Sequence, residues 1–396
     1  MKPWITAARR KTFSSCCCNP AHAPACTRAP LAPGSPTSTA QRASWGRASS
    51  PASIYTAQTR AVRRLSLSQC WCARMWLYLA AVLVGLFLLR RWHRERQMVP
   101  GLSEKYVLIT GCDSGFGHLL AQQLDARGLR VLAACLTEAG AARLRAATSP
   151  RLQTLLLDVT SSQSIATAAA WVRERVGDQG LWGLVNNAGI SNPTAPNEWL
   201  TKDDFVRVLD VNLVGLIEVT LSLLPLVRRA RGRVVNVASI LGRISCFGGG
   251  YCISKFGVEA FSDSLRREMR PFGVQVSIIE PGAFRTEIVN PTTLVNGFKH
   301  VWGQLPAETQ AAYGHHYLET YARRTILLHR LSSSCLSPVT DAMAHALLAR
   351  FPRSRYTAGW DARLVFLPLS YCPAWLSDTI ISFFLPVLAG GTAGHP

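Results

Sequence analysis

Between Lys105 and Asn290, short continuous apolar runs alternate with stretches whose apolar residues recur at helical spacing. The runs are Tyr106–Thr110, Arg130–Cys135, Thr154–Asp158, Leu181–Val185, Arg233–Val237 and Val274–Ile279. They are rich in Val, Ile and Leu and lack the every-second-residue polar alternation of a half-exposed strand. Six such runs, each separated by a helix-length segment, predict a doubly wound, mostly parallel α/β sheet with helices on both faces, a Rossmann-type fold. No internal repeat interrupts this order.

The flanks have other patterns. Met75 to Leu89 is an unbroken apolar run followed by Arg90, Arg91, His93, Arg94 and Arg96. Crossing a bilayer takes roughly 17–25 residues, so the run alone is short. Snorkelling arginines and interfacial Trp76 and Trp92 extend it, and no small-residue cleavage site follows. Residues 75–94 are therefore expected to form an uncleaved membrane anchor, with a buried core helix as the lesser alternative. Arginines on the C-terminal side alone favour a cytosolic catalytic domain, whereas Arg60, Arg63, Arg64 and Arg74 on the other side oppose that bias. Residues 291–396 read as a helical substrate lobe that ends in an apolar segment. Pro368, Pro373 and Pro386 break any spanning helix there, leaving a membrane-lying segment and a pocket wall as equal readings.

Composition narrows the field. The net charge of +20 is lopsided, because residues 1–74 hold eleven Lys and Arg and no acid, leaving +9 for the remainder. A nucleic-acid partner is thus not expected, and clusters such as Arg228-Arg229-Ala230-Arg231 suit a helix C-terminus. Residues 1–74 are rich in Ala, Ser, Pro and Arg without apolar periodicity, which predicts a disordered basic extension. The twelve cysteines have neither zinc-like nor disulfide-framework spacing, and the histidines form no metal pattern, so no metal is expected.

The candidate chemistry begins at Tyr251 and Lys255, four residues apart in a helical stretch and so on one face. A cation beside a phenol favours the phenolate, which predicts a Tyr251 pKa drawn down from roughly 10, as a proton shuttle for alcohol and carbonyl needs. Upstream, Gly111-Cys112-Asp113-Ser114-Gly115-Phe116-Gly117 follows the first strand and leads into a helix. Glycines there permit a tight turn and close approach to a pyrophosphate, which the helix N-terminus attracts. Taken singly, Ser239 reads as a strand-end cap, Asn212 as a helix polar group and Asp158 as a turn former. Their order and spacing together make coincidence remote.

Thr110-Gly111 with its three-residue gap to Gly115 and Gly117, then Asn186-Asn187-Ala188-Gly189, Asn212, Ser239, Tyr251, Lys255 and Pro281-Gly282, resembles the short-chain dehydrogenase/reductase superfamily. Residues 355–361 and Gly248-Gly249-Gly250-Tyr251-Cys252 resemble its retinol and 3α/17β-hydroxysteroid dehydrogenase branch. The pattern covers residues 100–290 as a dinucleotide-binding catalytic domain. Two departures stand out: Ala238 replaces a usual serine, and residues 1–74 match nothing in the branch. The resemblance implies a catalytic tetrad of Asn212, Ser239, Tyr251 and Lys255. Tyr251 would be the acid/base, Lys255 its pKa-lowering neighbour and ribose contact, Ser239 the donor to the substrate oxygen, and Asn212 the holder of a water linking Lys255 to solvent. It further implies cofactor contacts from Gly111, Ser114, Gly115, Phe116, Gly117, Asp158, Asn187, Ala188, Gly189, Tyr251, Lys255, Pro281, Gly282 and Thr286, with Asp158 at the adenine.

The second strand ends in Ala134-Cys135-Leu136-Thr137, with no acid before Glu138, while Asp113 would repel a nearby phosphate. NAD rather than NADP is expected. The function expected is oxidation of a lipophilic alcohol, a retinoid or a 3α/17β-hydroxysteroid, at the endoplasmic reticulum membrane, by a chain that meets membrane lipid and pairs as a homodimer. The rivals are a catalytically silent nucleotide-binding scaffold and a basic surface binder acting through residues 1–74.

Overall fold

In a computed structural model, which describes residues 75–382, seven parallel strands form one sheet. They are β1 (Tyr106–Thr110), β2 (Arg130–Cys135), β3 (Gln153–Leu156), β4 (Gly183–Asn186), β5 (Arg233–Val237), β6 (Gln275–Pro281) and β7 (Arg355–Ala358), in the order β3-β2-β1-β4-β5-β6-β7. The expected basic extension 1–74 and the end of the apolar C-terminal segment, including Pro386, lie outside the described residues. From Tyr78 onward the described residues belong to one compact unit.

The strands are apolar on both sides because helices cover both faces. Along β1, Val107 and Ile109 pack with Leu120 and Leu124 of α2 (Gly115–Ala126) and with Met343 and Leu347 of α11 (Ser337–Leu348). Leu108 between them points to the opposite face. There it joins Val172 of α4 (Ser162–Val176), Leu223 of α6 (Gly215–Arg229) and Leu265 of α7 (Gly250–Met269). The short α3 (Glu138–Ala146) follows β2, and α5 (Lys202–Leu209) runs into α6 through a π-helical turn at Asp210–Val214. Lys202–Arg229 is apolar enough to cross a membrane by composition, but its packing under the sheet makes it a core helix.

The six expected strands are present, three with the same bounds, and β7 is an addition. Its four residues, Arg355-Tyr356-Thr357-Ala358, carry too little apolar sequence to announce a strand, yet they complete the sheet edge beside β6. With β7, α11 belongs to the sheet's own core: Met343 and Leu347 are fully buried there. The region after residue 290 is therefore divided. Helices α8 (Pro291–Gly303), α9 (Ala307–Tyr313) and α10 (His315–Leu331) form a lobe around Trp199, Phe298 and Trp302, while α11 and β7 rejoin the sheet. Beyond them a π-helical turn at Ala362–Phe366, α12 (Leu367–Leu369) and α13 (Ala374–Ser382) close the described chain.

Met75–Glu95 is one helix, α1, of 21 residues with a mean hydropathy of 1.5 and no buried share along its apolar window. Its last turn is clasped to the catalytic unit. Arg353 pairs with Glu95, His345 bonds the Glu95 carbonyl at 2.9 Å and the Tyr356 hydroxyl at 2.8 Å, and Arg94 lies 4.1 Å over the Phe351 ring.

Candidate active site

The strand order reverses direction between β1 and β4, which opens a crevice at the carboxyl ends of the strands. The loops after β1, β4, β5 and β6 all empty into it. One cavity of about 680 Å³ runs through this crevice, lined at one end by Gly111, Ser114, Gly115 and Phe116 and deeper in by Ser239, Tyr251 and Lys255.

The glycine loop is built by its backbone. Gly111 and Gly115 have φ of +69° and +62°, a region that a side chain resists. A methyl group at Gly117 would press against the Gly111 carbonyl and stand 2.6 Å from Asn187 Nδ2, so only glycine lets α2 begin this close to the strand end. Ser114, at the N-cap of α2, makes no side-chain cap, and its helix N-terminus faces the cavity. Thr286 closes the loop from the other side, where a methyl group added at Gly115 would just touch it. Phe116 stacks edge-on against Phe284 at 5.7 Å. This cradle fits the pyrophosphate of a dinucleotide.

Asn187 holds the cradle shut. Its Nδ2 donates to the carbonyls of Thr110 and Gly111, both at 3.0 Å, and Thr110 Oγ1 accepts from the backbone N–H of Asn187 and Ala188. The side chain is thus spent on the loop, and what Asn187, Ala188 and Gly189 present to the cavity is mainly backbone. Asp158 is exposed at the cavity wall; its Oδ1 accepts from Thr160 N–H and Oγ1 at 2.9 and 2.7 Å. At the far side, Gly282 donates to the Ala358 carbonyl at 2.8 Å, and Asp361 accepts from Ala283 N–H, so β7 fixes the Pro281-Gly282 turn.

Asp113 takes a position that the linear sequence hides. Its carboxylate accepts from the N–H groups of Leu136 and Thr137 and from Thr137 Oγ1, at 2.8, 3.0 and 2.7 Å. An acid from the glycine loop thereby sits at the end of β2, where the sequence has none before Glu138. Burial raises its pKa, but these hydrogen bonds outweigh burial and hold the carboxyl below its usual range. Glu138 itself is turned away, pairing with Arg145 on the surface.

The four polar residues Asn212, Ser239, Tyr251 and Lys255 come from three elements. Asn212 lies in the π turn between α5 and α6, fully buried, with its amide bonded to both backbone groups of Ile190 and to Ser254 Oγ. Ser239 follows β5 and caps a short turn through Leu241 N–H. Tyr251 and Lys255 share one face of α7, with the ammonium 5.7 Å from the phenol ring centre and donating to the Val237 carbonyl at 2.9 Å. Burial is the dominant electrostatic effect on both. It pushes the Tyr251 phenol up to about 12, against a hydrogen bond to Ser239 that acts downward, and it pulls Lys255 down to about 8. The lowering of Tyr251 expected from helical spacing alone is therefore absent in the protein by itself, because desolvation of the phenolate exceeds the help of its hydrogen bond to Ser239.

Beneath these groups lies a polar ladder with no sequence signal beyond the apparent oddity of asparagine in a strand. Asn186 donates to Thr220 Oγ1 and Asn236 Oδ1, and Asn236 donates to Ser262 Oγ, each at 2.8 Å. It ties β4 and β5 to α6 and α7 below the site.

The chain is similar to known proteins in sequence and fold. The family described as short chain dehydrogenase matches residues 105–295. Retinol dehydrogenase 16 of Homo sapiens is 61% identical over 312 residues, which cover 79% of this chain and 98% of that protein. 17-beta-hydroxysteroid dehydrogenase type 6 of Homo sapiens is 59% identical over 310 residues, 78% of this chain and 97% of that one. Among solved structures, a short-chain dehydrogenase from Streptomyces avermitilis superposes with a TM-score of 0.54 at 28% identity, covering 70% of this chain and 94% of that chain.

Proposed function

The chain belongs to the short-chain dehydrogenase family, and from that premise we propose that it is a membrane-anchored dehydrogenase that uses NAD to oxidise lipophilic alcohols, reversibly, with Tyr251 as acid/base. As a family member it is an oxidoreductase acting on alcohols with a nicotinamide dinucleotide. The finer reading rests on one observation: a single cavity joins the glycine cradle to Ser239, Tyr251 and Lys255 and then continues between apolar side chains such as Leu294, Leu328, Phe366, Leu369 and Ile381. A retinoid or a 3α/17β-hydroxysteroid has the apolar body that such walls take up, in keeping with the names of the relatives.

The nicotinamide ring supplies the hydride acceptor. The chain's own part is proton transfer and alignment. Tyr251 takes the proton from the alcohol oxygen, and Ser239 donates a hydrogen bond to that oxygen as charge gathers on it. Lys255 gives up its proton at a lower pH than an exposed ammonium, near 8, because burial penalises the charged form, and the neutral amine can then take the proton of Tyr251. Asn212 positions this pair through Ile190 and Ser254 rather than by touching substrate. Asp113 selects NAD: a ribose hydroxyl can donate to its carboxylate, whereas a phosphate there would meet a like charge.

Helix α1 anchors the enzyme in the endoplasmic reticulum membrane, with Arg90, Arg91, Arg94 and Arg96 keeping the catalytic unit on the cytosolic side. The test is the purified full chain given NAD or NADP with all-trans retinol and androstanediols, followed by the appearance of reduced nicotinamide. Turnover of an alcohol with NAD supports the proposal. Cofactor binding without turnover of any alcohol in a lipophilic panel would leave a nucleotide-binding scaffold in its place.

A further inference from the structure

Helix α10 forms one wall of the cavity. Tyr321, Arg324, Thr325, Leu328 and His329 line it at the i, i+3, i+4, i+7 and i+8 positions of a single helical face, and Ser332 lines it from the C-cap. Five of these positions are explained by their surroundings. Tyr321 stacks flat on Phe298 at 3.9 Å, Thr325 donates to the Tyr321 carbonyl, Leu328 is apolar, His329 Nδ1 bonds the Val289 carbonyl at 3.0 Å, and Ser332 donates to the Leu328 carbonyl.

Arg324 is not explained. It is half-buried, has no hydrogen-bond or ion-pair partner among the described residues, and its Nη1 is buried without a partner. The carboxylates that line the same cavity are engaged elsewhere: Asp113 with Thr137, Asp158 with Thr160, and Glu287 with Asn290. None of them lies within 4.0 Å of the guanidinium, the limit for an ion pair. The neighbouring Arg323 shows the ordinary alternative, facing outward and pairing with Glu319. A guanidinium stays charged throughout the accessible pH range, so burying part of one unpaired is costly unless something completes it.

We propose that Arg324 receives a carboxylate carried by the substrate itself, so that the preferred alcohols are amphipathic acids: an apolar body with the reacting hydroxyl at Tyr251 and an anionic group against the α10 wall. The N–H groups of the guanidinium that remain accessible can donate charge-assisted hydrogen bonds to a carboxylate, and the apolar cavity strengthens the pairing. This rests on the reading of the cavity as an alcohol-oxidising site and narrows its substrate class. The dinucleotide's phosphates are the other anion that could reach the cavity, and the experiment separates the two.

The probes are lithocholate and its methyl ester, which share a 3α-hydroxyl and differ in side-chain charge, used with NAD on the full chain, Arg324→Met and Arg324→Lys. The expected result is a higher kcat/KM for the acid than for the ester in the unmodified chain. The acid-to-ester ratio then falls about tenfold or more in Arg324→Met, chiefly through KM, and recovers in part in Arg324→Lys. An ester preferred by the unmodified chain overturns the proposal, whether or not the Met variant folds. So does a ratio that Arg324→Met leaves unchanged, or one that stays fixed while the KM for NAD rises, which would assign the guanidinium to the dinucleotide. Should no alcohol be turned over, the enzymatic reading fails separately. Tryptophan fluorescence titration with the two probes then decides Arg324 alone: equal affinity for acid and ester sinks it, and tighter binding of the acid that is lost in Arg324→Met upholds it.

Discussion

The side-chain amide of Asn212 pairs with the backbone of Ile190 at both its atoms: Oδ1 accepts from the Ile190 N–H and Nδ2 donates to the Ile190 carbonyl, each at 2.8 Å. Ile190 follows the Asn187-Ala188-Gly189 turn, so this pair fixes the cofactor-side loop to the π turn. Replacement by Leu strands the two backbone groups of Ile190 beside a fully buried side chain. The expected loss of stability is about 2–4 kcal/mol, since an unsatisfied buried group costs about 1–3 kcal/mol. Urea denaturation of Asn212→Leu checks it; an unchanged midpoint would show that the clamp is idle.

Tyr251→Phe removes only the hydroxyl. Turnover should fall by about 10³-fold, in the range for loss of a positioned acid/base, while NAD affinity by fluorescence titration stays within a factor of about three. Rates close to those of the unmodified chain would assign the proton to another group.

The pH dependence follows from burial. Lys255 is pulled down to about 8 and Tyr251 pushed up to about 12, so as pH rises the ammonium sheds its proton first, near 8, and the neutral amine can then accept the proton of the phenol. Alcohol oxidation needs the deprotonated pair. Its kcat/KM should therefore climb with pH and level off above an apparent pKa near 8, and Lys255→Met should displace that limb upward toward the value of the buried phenol. A rate profile that is flat from pH 6 to pH 10 would exclude the pair as the base.

Asp113 shows where sequence reading stops. The six strands were legible because continuous Val, Ile and Leu runs have few other uses, and the tetrad because its order and spacing put Tyr251 and Lys255 on one helical face and Ser239 just after a strand. What no linear pattern carries is that a loop residue 23 positions upstream of Leu136 stands in for the missing acid at the end of β2. The same holds for Arg324, whose position depends on how the α10 wall meets the cavity, and for β7, whose pairing with β6 comes from tertiary packing rather than from four polar-rich residues. The sign of the Tyr251 shift also escaped, since helical spacing gives the neighbour and not the depth of burial.

Cofactor choice tests that stand-in. Asp113→Asn keeps the shape and one acceptor oxygen but removes the charge. The ratio of kcat/KM with NAD to that with NADP should fall about tenfold or more, because repulsion of a 2′-phosphate disappears while the ribose loses a charge-assisted bond. Measuring both cofactors on one alcohol substrate decides it, and a ratio that does not move would show that Asp113 does not discriminate between the two cofactors.

Attachment to the membrane is the last expectation, and it depends on α1 alone. At 1.5 Å per residue its 21 residues extend about 30 Å, the thickness of a hydrocarbon core. Nine Leu, Val and Phe side chains between Leu77 and Leu89 favour insertion by on the order of 4 kcal/mol, and the arginines that follow bracket the run with charge. The exposed Trp375 and Tyr371 near the cavity could add surface adhesion, but a peripheral contact of that kind yields to alkaline carbonate whereas an inserted helix does not. Carbonate washing should accordingly leave the full chain in the membrane pellet, and deletion of residues 75–94 should move most of it to the supernatant with Glu95 still present for its clasp to Arg353. Release of the intact chain by carbonate would mean that α1 lies outside the bilayer.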